Sequence, residues 1–279
     1  MEFVALAPII ADEDKAEEFL RQRGVLRSFT ACPYCDAESF GRVRRQMYKC
    51  YSCRKEWSIR KGSVLEKFRM PLTKVVLGLK LFELEMPVLK ATKELGLSYK
   101  TTHKFFMHLR KAIAEQGEES LLEGEVEADE SYFGGKRKGK RGRGAAGKTP
   151  VFGILERNGQ VRVEVVKDVK GETLLKAMIK KVKRGSLIYT DKWKGYDGLV
   201  TFGFRHERID HSKRFANGKV YINGIEGFWS YAKGRLQKYH GIGKENFGYY
   251  LKELEFRYNH RDDDLFDLLV EFLKVDSNT

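Results

Sequence analysis

Three acidic residues of this sequence fall at places where their carboxylates could hold metal ions. Asp129 lies at the end of a predicted strand in the motif EADE, Asp191 ends the apolar run Leu187–Asp191, and Glu226 lies on a predicted helix. An acid at the end of a buried strand is costly to desolvate, and two neighbouring acids repel each other. A divalent cation with oxygen ligands relieves both costs. Paired ions held in this way catalyse phosphodiester displacement, in which they activate a water or a 3′-hydroxyl group.

The helix that carries Glu226 is predicted for residues 224–236. Its apolar face consists of Ile225, Phe228, Trp229, Ala232 and Leu236. Lys233 follows Glu226 by seven residues, so the two side chains share one edge of that face. From this edge Glu226 could complete a metal site above a sheet, and Lys233 could contact DNA phosphate.

Each of these acids also has an alternative role. Glu127 and Glu130 compete with Asp129, since strand alternation does not settle which of them faces the metal. Asp191 could cap a helix that begins before Trp193, and Glu226 could be an ordinary exposed helix acid. The three residues together, in order and on suitable elements, favour the metal site.

Four cysteines form the pattern C-x2-C … C-x2-C, with 14 residues between the pairs: Cys32, Cys35, Cys50 and Cys53. Two thiolates in each tight turn can point inward, and two such turns complete the tetrahedron that structural zinc prefers. A four-thiolate site is closed, so we expect Zn²⁺ there to be structural. The amino terminus does not resemble a secretory signal, which favours zinc over disulfides.

The overall composition indicates a globular protein that binds polyanions. The chain has 279 residues, 42% of them hydrophobic, and 53 Lys and Arg against 39 Asp and Glu give a net charge of +14. Such a charge attracts nucleic acid. No run of about 18 apolar residues occurs, so we expect no membrane association.

Helical patterns dominate the first half outside the cysteines. Residues 12–23 predict a short helix, and residues 71–113 predict three helices, the second with Leu89, Thr92 and Leu95 at spacings suited to burial. Residues 91–113 have the outline of a helix-turn-helix. Lys100, Thr101 and Lys104 lie at the start of its second helix, where contacts to bases and phosphates are usual.

The pattern from residue 125 onward predicts three strands, a helix, a strand, a weak helix near residues 193–199, a strand and three further helices. A basic, glycine-rich loop over residues 134–148 closely follows Asp129 and could clamp DNA. Its candidate DNA-binding residues are Lys136, Arg137, Lys138, Lys140, Arg141 and Arg143. A similar segment spans residues 213–219.

From about residue 30 to residue 260 the sequence resembles the bacterial and archaeal insertion-sequence transposases that join a zinc ribbon to a ribonuclease-H-like DDE core. The matching motifs are CPYC…CYSC, EADESYFGGK, YTDKWKGY and NGIEGFWSYAKGRL. The resemblance implies a multidomain α+β chain. Its parts would be a helical segment (1–29), a zinc ribbon (30–62), a helix-turn-helix-like segment (70–113) and a ribonuclease-H-like α/β catalytic domain with a five-stranded mixed sheet and C-terminal helices (125–279).

The resemblance also implies an activity and its cofactors. Asp129, Asp191 and Glu226 would bind Mg²⁺ or Mn²⁺, and the enzyme would cleave terminal inverted repeats and transfer them to target DNA. Asn223 is the alternative third ligand, because some relatives have asparagine as that residue. Relatives often have histidine where this chain has Tyr221, so the chain does without that histidine or uses His211. A homodimer is expected for pairing two ends, in a prokaryotic cytoplasm on nucleoid DNA.

Two other functions are compatible with the same motifs. One is a zinc-ribbon and helix-turn-helix regulator without catalysis, and the other is a ribonuclease-H-like DNA nuclease that does not join strands. If the protein is a regulator, substitution of the three acids should leave its behaviour in DNA assays unchanged. If it is a nuclease, it should not join a pre-cut 3′-end to target DNA, whereas a transposase should.

Overall fold

The computed structural model describes residues 1–44, 46–116, 120–134, 148–157, 159–191, 198–209, 221–239 and 241–275. The chain forms two compact units. The first comprises Met1–Gln116 with Asp262–Thr279, and the second comprises Gly117–Arg261. No helix within the described ranges is long and apolar enough to cross a membrane.

The elements follow one another along the chain in a helical first half and a mixed second half. In chain order they are α1 (Phe3–Ile10), α2 (Glu13–Gln22), β1 (Phe40–Arg44), β2 (Met47–Cys50), β3 (Glu56–Ser58), α3 (Leu72–Glu83), α4 (Val88–Leu95), α5 (Tyr99–Glu115), β4 (Glu125–Phe133), β5 (Thr149–Glu156), β6 (Val161–Val165), α6 (Gly171–Lys181), β7 (Leu187–Asp191), β8 (Arg205–Ile209), α7 (Asn223–Leu236), α8 (Lys244–Asn259) and α9 (Leu265–Glu271).

Acidic side chains begin two helices of the first unit. The Asp12 side chain caps α2 by accepting hydrogen bonds from the amides of Asp14 and Lys15. Helix α3 follows Pro71, whose side chain cannot accept a hydrogen bond. The carboxylate of Glu13 takes that role from another helix and accepts the amides of Leu72 and Thr73 at 2.7 and 3.2 Å. This contact fixes α2 against the start of α3.

Helix α9 belongs to the first compact unit. The sequence predicts one catalytic domain over residues 125–279, and in the structure Asp262–Thr279 groups with Met1–Gln116. The buried ring of Phe266 lies 6.4 Å from the ring of Phe19, and Arg23 pairs with Asp267 at 2.9 Å. The apolar face of α9 is therefore buried against α2 and α3. The helical periodicity of α9 predicts an apolar face but does not indicate which helices cover it.

Helices α3, α4 and α5 match the three helices predicted for residues 71–113. Gly96, in the left-handed conformation at φ 57°, ends α4, and Ser98 caps α5 through the amide of Thr101. The expected burial of Leu89 is wrong, since its side chain is 65% exposed. Val88 and Ala91 are buried instead. The helix-turn-helix assignment itself stays a prediction.

The second unit contains the five-stranded mixed sheet that the sequence resemblance implied, in the order β6-β5-β4-β7-β8. Strand β5 is antiparallel to β4 and to β6, whereas β4, β7 and β8 are mutually parallel. Helix α6 packs on one face of this sheet, with a core that includes Phe152, Ile154 and Met178. Helices α7 and α8 pack on the other face, with a core that includes Val163, Phe228 and Leu251.

Candidate active site and metal centre

The central strand β4 separates the three acids that compete in the sequence. Successive side chains of a strand point to opposite faces. Val126 and Ala128 belong to the core under α6, so Glu130 shares that face, whereas Glu127 and Asp129 face α7. Strand β4 continues to Phe133, so Asp129 lies within the strand and not at its end, as the sequence analysis expected. Glu130 is thereby separated from the α7 face.

Asp129 and Asp191 are brought to one place by the parallel pairing of β4 with β7. The ladder aligns Glu125 with Leu187 and Glu127 with Tyr189. Two residues further along both strands, on the same face, are Asp129 and Asp191. Both are partly buried, and Asp191 is the last residue of β7, paired with Ile209 of β8. The charge of Asp191 acts on Asp129, so the two carboxylates are neighbours near the end of β7.

The electrostatics of Asp129 reflect this neighbourhood. Burial, then the negative charges of Glu130 and Asp191, raise the pKa of Asp129 from 3.8 to about 7, although the indole of Trp229 donates to it. A carboxyl group that is reluctant to ionise in a shared acidic site becomes a good ligand when a divalent cation supplies positive charge.

Helix α7 is held close to Asp129 by an indole and a glycine. The Nε1 of Trp229 donates to Oδ2 of Asp129 at 3.1 Å. Gly153 of β5 is the register partner of Asp129, and a Cβ atom there would lie 2.5 Å from the Trp229 ring and 2.9 Å from Ile225. The missing side chain at Gly153 therefore lets α7 pack directly on the sheet, with its indole over the strand pair.

Glu127 has a structural role at the start of α7. The residue before this helix, Ile222, has no side-chain acceptor for a cap. Oε2 of Glu127 accepts the amide of Ile225 at 3.0 Å and so caps the helix from β4. A Cβ atom on Gly224 would lie 2.9 Å from that oxygen, so glycine suits the close approach. Glu127 is 1% exposed and pairs with Arg157, so both of its oxygens are engaged by protein groups.

The third acid lies on the first turn of α7. Asn223 begins the helix, Glu226 follows one residue after the capped Ile225, and both are exposed. Lys233, two turns later, has its Nζ 5.8 Å from the ring centre of Phe133 at the end of β4. Among the described residues, the four cysteines form the group of three or more side chains close enough together to hold a metal ion, with ligand atoms all within 4.8 Å of one another. The acids do not form such a closed cage.

The four cysteines lie together as expected from their spacing. Their sulfur atoms all lie within 4.8 Å of one another, with Cys32 to Cys53 and Cys35 to Cys50 both at 3.7 Å. A tetrahedral zinc ion with bonds of about 2.3 Å places its sulfurs about 3.8 Å apart. The backbone amide of Cys53 lowers the pKa of the Cys50 thiol to about 6, whereas the pKa of Cys35 is raised to about 12, because the lowering by the Ala37 amide is outweighed by hydrogen bonds to neighbouring thiols and by burial. The cluster fits a zinc ribbon.

The two cysteine turns have the same backbone. The amide of Cys32 donates to the carbonyl of Ala37, and the amide of Cys50 donates to the carbonyl of Lys55, both at 2.9 Å. In each turn the residue after the second cysteine is left-handed, with φ 55° at Asp36 and 61° at Arg54. Around them, β1, β2 and β3 form an antiparallel sheet whose Trp57 packs with Cys32 and Cys50.

The predicted DNA-binding residues divide into two sets. Lys100 and Lys104 are exposed at the start of α5, and Lys104 lies over the ring of Phe68. The hydroxyl of Thr101 contacts the cap residue Ser98 at 2.9 Å. The loop residues Lys136, Arg137, Lys138, Lys140, Arg141 and Arg143 fall outside the described residues, as do His211 and residues 213–219.

Three residues at this site, Gly153, Trp229 and Arg157, have roles that the sequence does not predict. Gly153 carried a signal, because a glycine within an apolar strand often marks close backbone approach. Helical periodicity assigns Trp229 to the apolar face of α7, and this pattern carries no information about a partner for its indole nitrogen. Arg157, directly after β5, belongs to no recognisable sequence pattern. Its contacts with Glu127 and Tyr221 are made by residues distant in the sequence that the fold brings together.

Comparison with known proteins places the chain among transposases. The family described as ISXO2-like transposase domain matches residues 121–259. A protein of Haemophilus influenzae described as an uncharacterized transposase-like protein is 48% identical over 103 residues, which are 37% of this chain and 84% of that protein.

Solved structures of the Mos1 transposase are also similar at a low level. The Mos1 strand transfer complex gives a TM-score of 0.32 at 12% identity, covering 72% of this chain and 74% of that chain. The Mos1 paired-end complex with the left transposon end gives 0.31 at 13% identity, covering 72% and 75%. Scores of this size do not establish a common fold. The family match and the Haemophilus relative show that the chain belongs to the insertion-sequence transposases with an ISXO2-like transposase domain.

Proposed function

We propose that this transposase cleaves the terminal inverted repeats of its element and joins them to target DNA at a site formed by Asp129, Asp191 and Glu226. The observation that carries the proposal is the interaction of the Asp191 charge with Asp129, each of which follows the paired residues Tyr189 and Glu127 by two positions on the parallel strands β7 and β4. Helix α7, which carries Glu226, packs on that face through Trp229. Such a site would correspond to the ribonuclease-H-like DDE core that the sequence resemblance implies.

The acids of this site are suited to a hard divalent cation, Mg²⁺ or Mn²⁺, because their ligand atoms are oxygens. Such ions would activate the attacking water or 3′-hydroxyl group and stabilise the leaving oxygen. The chain's own contribution is to hold Asp129 and Asp191 in fixed positions on the sheet. Lys233, on the same helix as Glu226, would contact the DNA phosphate beside them.

Glu226 is proposed as the third ligand in preference to Asn223. Both are exposed on the first turn of α7, so position alone does not choose between them. A carboxylate binds Mg²⁺ more strongly than an amide because it carries charge. Glu226→Gln should then lower metal-dependent cleavage by roughly 100-fold or more, while Asn223→Ala should retain most of it. The reverse ranking would assign the role to Asn223.

Zn²⁺ is proposed for Cys32, Cys35, Cys50 and Cys53. The sulfur distances and the two matching turns support this assignment. The site is closed by four thiolates, so the ion would stabilise the fold of the ribbon and take no part in DNA cleavage. Metal binding also supplies folding free energy that so small a core lacks.

DNA binding is proposed for Lys100, Thr101 and Lys104 at the start of α5 and for the basic loop after β4. The net charge of +14 supports attraction to the DNA backbone. The reaction pairs two element ends, so we expect a homodimer in the active complex and action on nucleoid DNA in the cytoplasm.

The decisive experiment is a cleavage and strand-transfer assay on DNA carrying the terminal inverted repeats expected of the element. We expect Mg²⁺-dependent cleavage and joining by the wild type and loss of both in Asp129→Asn and Asp191→Asn, with DNA binding kept. Glu172→Gln is the matched control, since Glu172 is an acid on α6, across the sheet from the site. Equal activity of wild type and Asp191→Asn would refute the proposal. If the wild type and all variants bind DNA but none cleaves it, the result would favour a regulator without catalysis. Cleavage by the wild type without joining of the ends would favour the nuclease.

A further inference from the structure

Arg157, directly after β5, lies at the centre of a contact network on the α7 face of the sheet. Its guanidinium carbon is 3.8 Å from the ring centre of Tyr189 and 3.9 Å from that of Tyr221, so the group lies between two aromatic rings. It donates to Glu127 at 3.1 Å and to Glu125 at 2.6 Å. The side chain is 11% exposed.

The same guanidinium also holds the chain that leads into α7. Its third nitrogen donates to the carbonyl oxygen of Tyr221 at 2.7 Å. Tyr221 is therefore fixed twice by Arg157, through its ring and through its backbone. Two residues later the helix begins, with Asn223 as its first residue.

A second connection runs through Glu127. One oxygen of this buried carboxylate pairs with Arg157, and the other accepts the amide of Ile225. A carboxylate buried this deeply requires partners for both of its oxygens. Arg157 thus holds Glu127 by an ion pair in the position from which it caps α7. Both connections end on the helical turn that carries Glu226.

We propose that Arg157 is a positioning residue of the transposase site, which sets the first turn of α7 relative to Asp129 and Asp191 through Glu127 and Tyr221. The inference rests on the proposed function, since it concerns the third acid of that metal site. Lysine cannot replace this arginine, because an ammonium group has no planar face for two rings and no fork for several acceptors. The ring of Tyr221 serves as one wall of the guanidinium site.

The test compares Arg157→Lys with Arg162→Lys. Arg162 is also a buried arginine of the second unit, on β6, where it bonds to Val161 and Gln160. A second pair of variants separates the role of the Tyr221 ring from that of its hydroxyl group. Tyr221→Phe keeps the ring, and Tyr221→Leu removes it.

The first measurement is amide hydrogen exchange in the first turn of α7. We expect faster exchange there in Arg157→Lys and Tyr221→Leu, and wild-type exchange in Arg162→Lys and Tyr221→Phe. The second measurement uses Mn²⁺ alone as the probe. Its binding is followed by paramagnetic broadening of the Trp229 indole resonance, whose nitrogen contacts Asp129. We expect about tenfold weaker Mn²⁺ binding in Arg157→Lys and Tyr221→Leu, an effect of the size usual for residues that support metal ligands.

The outcomes separate this inference from the function on which it rests. Wild-type Mn²⁺ binding by Asp191→Asn would overturn the proposed metal site and the inference with it. Loss of binding in Asp191→Asn, together with wild-type exchange and binding in Arg157→Lys and Tyr221→Leu, would overturn the inference alone. If Arg157→Lys does not fold, the comparison of Tyr221→Leu with Tyr221→Phe decides.

Discussion

Replacing Asp129 by asparagine should remove a pH-dependent loss of stability from the second unit. Burial, followed by the charges of Glu130 and Asp191, raises the pKa of Asp129 from its ordinary 3.8 to about 7. Between these two values the folded protein binds a proton that the unfolded chain has released. Stability therefore falls as the pH rises from about 4 to 7, and the fall is complete above pH 7.

The size of the effect follows from the two pKa values of Asp129. A rise from 3.8 to about 7 corresponds to a loss of at most about 4 kcal/mol at pH 8 and roughly 2 kcal/mol at pH 5. Asparagine has no ionised form and avoids this loss. Relative to Asp129→Asn, the free energy of unfolding of the wild type should thus fall by about 2–3 kcal/mol between pH 5 and pH 8.

The indole of Trp229 provides the assay, because its nitrogen donates to Asp129 at 3.1 Å. In the absence of Mg²⁺ and Mn²⁺, its proton resonance should titrate with a midpoint near pH 7. The same resonance, followed in urea at pH 5 and pH 8, reports unfolding of this unit alone. Under the proposed function Mg²⁺ should lower the midpoint, because a bound cation favours the carboxylate.

Three variants identify the titrating group. Asp129→Asn should abolish the titration of the indole resonance, and Glu172→Gln on α6 should leave it unchanged. Glu130→Gln should lower the midpoint, because the charge of Glu130 is the second cause of the raised pKa. A wild-type midpoint near 4, or a titration that survives in Asp129→Asn, would refute the reasoning.

Three further outcomes are expected. Metal analysis should find about one zinc per chain, and Cys50→Ser should lose it and unfold the ribbon; a folded, zinc-free wild type would contradict the site. Gly153→Ala should destabilise the second unit by about 1–3 kcal/mol in urea unfolding, because its methyl group would meet the indole above it. Gly227→Ala, with open space around it, should stabilise α7 by about 0.5–1 kcal/mol, and equal effects of the two would refute the packing argument. Lys100→Ala with Lys104→Ala should reduce the salt dependence of DNA affinity, and an unchanged slope would exclude phosphate contacts there.

Local chemistry explains why much of this protein is readable from its sequence. The spacing of Cys32, Cys35, Cys50 and Cys53 is enough to predict a metal cluster, because each pair closes its own tight turn. The helices after Pro71 and Pro87 begin where predicted, since proline and the caps act within a few residues. The five strands of the second unit also follow from alternation and apolar runs.

Burial of individual helix faces was less predictable. Leu89 has the right spacing for a buried position in α4 but lies on its exposed side. Helix α9 has an apolar face that fits either unit, and its contacts with Phe19 and Arg23 place it in the first. Periodicity identifies an apolar face and does not name the surface that covers it.

For the acids Asp129, Asp191 and Glu226, too, local sequence patterns predict some properties and the tertiary structure determines others. The sequence by itself determined that Asp129, Asp191 and Glu226 lie on two strands and a helix, because periodicity and strand ends are local properties. Only the tertiary structure distinguishes the surroundings of the acids of β4. The pairing of β4 with β7 brings Asp129 close enough to Asp191 for their charges to interact, and capping of α7 engages Glu127. Register and capping depend on residues about 60 to 100 positions apart, and no local pattern encodes such contacts.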